Sequence, residues 1–400
     1  MDFDETPEEM AFRQEVRGWL RRNAKEKDPG QLSTSHSFYD FDDVFVAEGK
    51  AWQRRLFDGG WAGITWPVEF GGRGGDFVQS MIFRQEESRF DVTSGLFAVA
   101  IGMAGPTLIG HGTDAQRARY LPAMLRGDEI WCQLFSEPGA GSDLAALATR
   151  ADRDGDEWVV NGQKVWSSGA HHADMGILLA RTDPDLPKHR GITFFVLDMR
   201  TPGVEVRPLR QMTGGATFNE VFLTDVRVPL ANVVGDINGG WGATMTTLAN
   251  ERNLSGGTSN FPQVLALARQ CGSTGDPVIR QRLADCFVKG QIIRYLGFRI
   301  QTALSRGMST PETSVLKLFY SQMAKEMAEL TLAVQGPRGA LLGEDAPEHG
   351  YWQQQFLSSP SLRIAAGSDE VQRNIIGERV LGLPHDIRVD KDVPFRDLIR

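Results

Sequence analysis

The chain has 400 residues, 41% of them hydrophobic and 24% charged, with a formal net charge of -8 at neutral pH. That length exceeds a usual single core, so two or three domains are expected, and the apolar content is ordinary for a soluble globular protein. The negative balance excludes the positive field with which nucleic-acid binders displace counterions. Cys132, Cys271 and Cys286 are too few and too scattered for a disulfide framework or a zinc site. All three are expected to be core thiols in a reducing, cytoplasmic setting, and no metal centre is expected. The acidic start, MDFDETPEEM, has no basic region followed by an apolar stretch, so neither a secretory signal nor a transit peptide is expected.

In chain order, TPEE at Thr6 is a capping sequence that opens a helix with Phe12, Val16, Trp19 and Leu20 on one face. Helical patterning returns at Asp42–Leu56, Gln79–Arg89, Leu96–Met103 and Asp114–Leu125, so the first third reads as all-α. The apolar run Leu96–Gly110 is broken by Gly102, Gly105 and Pro106. It is too short to span a bilayer and reads as a buried helix, so no membrane partner is expected.

Past Trp131 the period changes. The segments WVVNGQKVW, GILLARTD, GITFFVLDM, VEVRPLRQM and FNEVFLTDVRVP are short β-rich runs separated by Gly, Pro and Asp turns. Their close spacing predicts a small sandwich or barrel rather than βαβ units. After Gly239-Gly240 helical patterns return at Trp241–Leu254, Gln263–Gln270, Asp276–Arg306, Pro311–Val334 and Pro360–Val380. Their short Gly/Pro connections predict an antiparallel four-helix bundle. The fold class is therefore α+β, with an all-α domain at 1–130, a β domain at 131–238, a helical bundle at 239–388 and a charged surface tail at 389–400.

Between the first two domains lies LFSEPGAGSD, Leu134 to Asp143. A run of this kind exposes backbone N–H groups in a tight concave turn that suits a phosphate or another electron-rich ligand. A bare Gly/Pro cluster more often only turns a corner, but this one has company. About twenty residues on, a strand-like stretch ends in Trp166-Ser167-Ser168, an indole beside two hydroxyls. That pairing is what a planar heteroaromatic ring needs for stacking and edge hydrogen bonds.

AGITWPVEFGG at Ala62–Gly72, FSEPGAGSD at Phe135–Asp143, VNGQKVWSSGA at Val160–Ala170, FNEVFLTDVRVP at Phe218–Pro229 and RIAAGSDEVQRNIIGERVLGLP at Arg363–Pro384 follow one another in a fixed order. With the α, β, α organisation, this series resembles the acyl-CoA dehydrogenase family of flavoproteins over nearly the whole chain. The resemblance implies a non-covalent FAD between the β domain and the C-terminal bundle, and a homotetramer or homodimer, with a heteromer also open. By matching positions, Gln133, Phe135, Ser136, Ser142, Trp166, Ser168, Arg269, Gln335, Gly339, Ser368 and Glu370 fall to the cofactor. Ser142, Arg252 and Gly367 fall to an acyl-CoA substrate. The implied reaction is α,β-desaturation of the thioester, with electrons passed to an electron-transfer flavoprotein.

That chemistry needs a carboxylate and a flavin on opposite sides of one carbon–carbon bond. Many members of the family carry the glutamate just before the Gly-Ser or Gly-Thr of the C-terminal motif, where this chain has Ala366. A minority place it in a Glu-Arg pair on the first long helix of the bundle, and LANERNLSGG supplies Glu251 and Arg252 there. Trp241, Met245 and Leu248 form a stripe with Glu251 at its edge, where partial desolvation would raise a carboxyl pKa. Most Glu-Arg neighbours are solvated surface charges, and Glu137, Asp369 and Glu370 compete for the role, Glu137 more plausibly being structural. His171-His172 is read as a loop or packing pair.

One departure stands out: the Phe and Gln by which most relatives reach a neighbouring subunit's FAD are not recognisable in LARQCGSTGDPVIRQRLAD. A flavin oxidase or monooxygenase of the same fold, and a non-catalytic or partner-dependent subunit, are the alternative readings. Ser255, Gly256, Gly257 and Ala366 are small enough to leave room for a branched or bulky acyl group.

Overall fold

A computed structural model describes residues 5–27, 41–254, 261–305, 312–385, 387 and 390–398, with side chains left out at 252–254, 301, 304 and 305. The described helices are α1 (Pro7–Asn23), α2 (Asp43–Asp58), α3 (Phe77–Glu87), α4 (Gly105–His111), α5 (Asp114–Arg126), α6 (Gly240–Leu254), α7 (Phe261–Gln270), α8 (Pro277–Ser305), α9 (Glu312–Gln335), α10 (Tyr351–Ser358) and α11 (Asp369–Ile375). The strands are β1 (Lys25–Glu26), β2 (Phe90–Asp91), β3 (Trp131–Leu134), β4 (Arg150–Asp154), β5 (Glu157–Lys164), β6 (Met175–Arg181), β7 (Ile192–Asp198), β8 (Val204–Leu209), β9 (Phe218–Pro229) and β10 (Val233–Val234). They fall into two compact units: a sandwich unit within Ser35–Asp76, Val92–Leu254 and Asp386–Arg400, and a helical unit within Met1–Thr34, Phe77–Asp91 and Ser255–His385.

In the sandwich unit the strands run β10-β7-β6-β4-β5-β9-β8, with β3 paired parallel to β6. A single bridge, Arg150 to Arg181, joins β4 to β6, so the path divides there into two four-stranded halves. Cys132, Leu134, Leu178, Phe195 and Leu197 from one half face Trp158, Val160, Val221, Leu223 and Val226 from the other in one core. The outer face of the first half packs Ile177, Phe194 and Val196 against the helical residues Phe45, Leu121, Met124 and Ala243. Both faces of β6 are therefore covered, and all seven of its residues are buried, which is why MGILLAR shows no alternation.

In the helical unit α9 is the hub, and α7, α8, α10 and α11 all pack on it. The core there is Val264, Leu267, Leu283, Leu330, Val334 and Trp352. The helix α1 begins with the expected capping box between Thr6 and Glu9 and buries Phe12, Val16 and Leu20. It is tied to α3 by Arg13 and Arg17, which both bond the buried Glu86 carboxylate.

Three expectations are corrected. Pro360–Val380 is not one helix, because Ala366 and Gly367 take left-handed backbone angles (φ 54° and 84°) and split a 3-10 turn from α11. The first third is not wholly helical, since Lys25–Glu26 pairs with Phe90–Asp91. Cys271 is half-buried, whereas Cys132 and Cys286 are buried.

Candidate active site

The concave turn grows out of β3. Gln133, half-buried, lies on that strand opposite Ile177, and the chain leaves the sheet at Phe135, whose ring meets Phe194 edge-on at 5.8 Å. The Val165 N–H donates to the Ser136 carbonyl at 2.9 Å, and Glu137 and Ala140 exchange two backbone bonds that close the turn. Gly139 and Gly141 face open space where a Cβ would stand, and Ser142 is exposed beside them.

What fixes this turn is a buried ion pair. Lys164, fully buried, donates to the Phe135 carbonyl at 3.0 Å and to Glu137 at 2.8 Å. The same carboxylate accepts from the Ala148 and Thr149 N–H groups at 2.6 and 2.9 Å. Burial pushes the Glu137 carboxyl up, but the Lys164 charge and these hydrogen bonds outweigh it and hold the group below the ordinary glutamate value. Lys164 is drawn below the ordinary lysine value by burial, against the pull of Glu137. Glu137 is thus spent on holding the turn.

The aromatic wall follows directly on β5. Trp166 has a left-handed backbone (φ 61°) and is 60% exposed, its ring edge-on to Phe218 at 5.9 Å. Such a backbone costs a non-glycine residue about 1–3 kcal/mol and persists only where its surroundings impose it. Here the imposing residue is Asn219, which the sequence reading did not single out. Its side-chain amide donates to the Ser167 carbonyl at 2.9 Å and its own carbonyl accepts from the Ser167 N–H at 3.1 Å. Its one sign in the sequence was an asparagine in the same alternating register as Val221 and Leu223, where it proves fully buried. Ser168 is half-buried next to it. His171 and His172 lie in a 3-10 turn, with the His172 Nε2 on the Phe41 carbonyl oxygen at 2.6 Å.

The helix α6 is seated in the same unit. A Cβ at Gly240 would lie 2.5 Å from the Phe194 backbone nitrogen, so only glycine lets the helix start against β7. Its buried face is Gly240, Ala243, Thr244 and Thr247, with Thr247 bonded to Thr107 at 2.8 Å. This corrects the expected stripe: Trp241, Met245 and Leu248 are only half-buried. Glu251 lies one turn beyond Thr247 on the buried face and is itself half-buried. The side chain of Arg252, and all of Ser255, Gly256 and Gly257, lie outside the described residues.

The C-terminal motif belongs to the helical unit. The amide of Gln372 donates to the Ala366 carbonyl at 3.3 Å, and a Cβ at Gly367 would sit 2.6 Å from that amide. Ser368 caps α11, accepting from the Val371 N–H. Asp369 is 1% exposed and accepts from Ser321 and Arg363, each at 2.6 Å, with Lys317 at 3.9 Å. Burial pushes its carboxyl up, and Ser321 and Arg363 bring it below the ordinary aspartate value. Glu370 is exposed and pairs with Arg373 at 3.2 Å. Of the more distant positions, Arg269 is exposed in the last turn of α7 and Gly339 lies in a 3-10 turn. Gln335 is buried, donating to Thr331 and accepting from Gln353.

The fold and this constellation define a class: a helical, β-sandwich, helical chain with an exposed indole beside a glycine-rich turn, as in flavin-linked oxidoreductases acting on acyl thioesters. Three family models match in order: acyl-CoA dehydrogenase N-terminal domain over residues 6–128, middle domain over 132–226 and C-terminal domain over 238–381. Acyl-CoA dehydrogenase IpdE1 of Mycobacterium tuberculosis is 37% identical over 389 residues, covering 94% of this chain and 98% of that protein. Among solved structures, the Tcur3481-Tcur3483 steroid ACAD is similar with a TM-score of 0.83 at 28% identity, covering 96% of this chain and all of that one. The ChsE4-ChsE5 complex from Mycobacterium tuberculosis is similar with a TM-score of 0.79 at 29% identity, with the same coverage. The chain belongs to the acyl-CoA dehydrogenase family, whose members are oxidoreductases that dehydrogenate acyl-CoA.

Proposed function

We propose that the protein desaturates an acyl-CoA thioester between its α and β carbons, with Glu251 as the base and FAD as the bound cofactor. The residues present fit that cofactor: Trp166 offers an uncovered indole face, Gly139 and Gly141 leave the turn open, and Ser136 and Ser168 are half-buried hydroxyls beside the strand ends. FAD, when bound, supplies the hydride acceptor. Trp166 would stack on its ring and exclude water, while Ser136 and Ser168 would donate to ring heteroatoms, and Ser142 would add a further contact. Arg252 would orient the thioester.

One observation supports Glu251 most: its half-buried place on α6, in the same compact unit as the turn and Trp166. Glu137 is locked to Lys164, Asp369 to Arg363 and Ser321, and Glu370 is exposed on α11. Position 366, which the family commonly gives to a glutamate, is an alanine. Glu251 is a half-buried acid on the buried face of α6, one turn beyond Thr247. It would take the α-proton.

The similarity to a protein titled a steroid ACAD, and to cyclohexane-1-carbonyl-CoA dehydrogenase of Geobacter metallireducens at 29% identity, favours a bulky alicyclic acyl group. The names of both solved relatives above pair two components, which favours a second reading of subunit organisation: this chain works beside an unlike partner. Electrons would leave to an electron-transfer flavoprotein. An anaerobic titration of the purified yellow protein with straight-chain, branched and alicyclic acyl-CoAs tests the reading. Bleaching of the visible band by the alicyclic class is expected. A colourless protein, or a band that no thioester bleaches, would contradict it.

A further inference from the structure

We propose that Asn219 is a positioning residue for hydride transfer: its buried amide clamps Ser167, and through it fixes the face that Trp166 turns toward the flavin. This role rests on the functional reading above, which puts a flavin against that indole.

Trp166 bears a backbone angle (φ 61°) that glycine accepts and a tryptophan resists. Three residues on, where the loop only turns, the chain does use glycine: Gly169 takes φ 66°. The indole does not offset the strain by packing, because it is 60% exposed and meets Phe218 only edge-on at 5.9 Å. The angle is instead set from both sides. Before Trp166, Val165 is buried and its N–H donates to the Ser136 carbonyl at 2.9 Å. After it, both backbone groups of Ser167 are held by one residue: its N–H donates to the Asn219 carbonyl at 3.1 Å, and its carbonyl accepts from the Asn219 amide at 2.9 Å. Trp166 takes the angle that joins two fixed neighbours.

Asn219 is buried, and the alternation of β9 turns it to the loop backbone while Phe218 turns to the indole. Its amide donates to the Ser167 and Thr217 carbonyls at 2.9 and 3.1 Å, which spends both hydrogens. An aspartate of the same shape offers acceptors only and sets its charge against two carbonyl oxygens. The far end of the loop is pinned independently, by the Gly169 N–H on the Thr217 carbonyl at 2.9 Å and by His172 on the Phe41 carbonyl at 2.6 Å. Loss of the amide therefore releases Trp166 and leaves the loop attached. Hydride transfer depends steeply on how the acceptor ring is held against the donor carbon, so a loosened wall slows the chemical step more than it weakens thioester binding.

The test uses the flavin-loaded full chain. Asn219→Asp and the milder Asn219→Ser are made in the parent and in Trp166→Gly, where glycine accepts the angle without help. In anaerobic single-turnover mixing with a thioester that bleaches the parent, either Asn219 variant is expected to bleach at least about tenfold more slowly. The thioester concentration that gives half the maximal rate is expected to change by less than about twofold. In the Trp166→Gly background the same substitutions are expected to slow bleaching no further. Thermal melts should show the same coupling, Asn219→Ser lowering the melting temperature more with tryptophan at position 166 than with glycine. Parental bleaching rates in the Asn219 variants, or equal losses of rate and of melting temperature in both backgrounds, would overturn the proposal. If an Asn219 variant is too unstable to isolate, recovery of folded, flavin-bound protein on adding Trp166→Gly supports the clamp, and no recovery overturns it. A parent that no thioester bleaches would contradict the functional reading itself, while the coupling in the melts, which needs no thioester, would still decide whether Asn219 holds Trp166.

Discussion

Glu137 and Lys164 show how one ion pair can shape a ligand turn. The pair is buried, and each partner is satisfied by further hydrogen bonds to the Phe135 carbonyl and the Ala148 and Thr149 N–H groups. Removing one charge strands the other in the interior, which is more damaging than never having had the pair. Glu137→Gln is therefore expected to cost about 3 kcal/mol, read from the denaturant midpoint, and to loosen the turn enough that flavin is lost on dialysis. A variant as stable as the parent would show that the turn does not depend on this clamp. Trp166 carries a different kind of stored cost. Its left-handed backbone is imposed by Asn219 through Ser167, and strain of this sort collects where a side chain must be presented rather than packed.

At the scale of elements, α1 and α3 are joined by the Glu86 carboxylate between Arg13 and Arg17. Burial pushes that carboxyl up, yet the two guanidinium groups win and lower it from its ordinary value to about 2. A depressed folded-state pKa means the contribution is fully present above the ordinary glutamate pKa and is lost as pH falls through the folded value. Thermal melts are thus expected to change little from pH 7 to 5 and to fall between pH 4.5 and 2. Glu86→Gln should flatten that slope, and an unaltered slope would place the acid sensitivity elsewhere. The larger elements were legible because their periods are plain: Thr6 and Glu9 announce α1, and the runs that became β5, β7 and β9 are rich in β-branched and aromatic residues. The strand β4, RADRD, was not legible, because four of its five residues are exposed and it is held by register with β5 rather than by pattern. The break at Ala366 was hidden for another reason: an alanine at positive φ gives no local sign, being fixed by Gln372 six residues on. In the candidate site, the turn and the indole were readable as chemistry, while Asn219 acts through a contact between distant segments and leaves no motif.

For the whole molecule, the α8 face bearing Val288, Ile292 and Tyr295 is exposed in a single chain, with these residues 40 to 52% accessible. They recur at helical spacing, and an apolar stripe of that kind is a candidate surface for contact with another subunit. Sedimentation is expected to give a mass well above the 44.2 kDa of one chain, alone or with an unlike partner, and Ile292→Glu should lower it. A monomer at micromolar concentration in both cases would argue that the face has another use. None of the described helices is long and apolar enough to cross a membrane. In the proposed reaction the half-buried acid of α6 takes the α-proton. The most direct test is anaerobic single-turnover mixing of Glu251→Gln with a thioester that bleaches the parent. A fall of at least about a hundredfold in the bleaching rate, with the flavin still bound and its spectrum intact, is the expected result. Bleaching at the parental rate would mean that another group takes the proton.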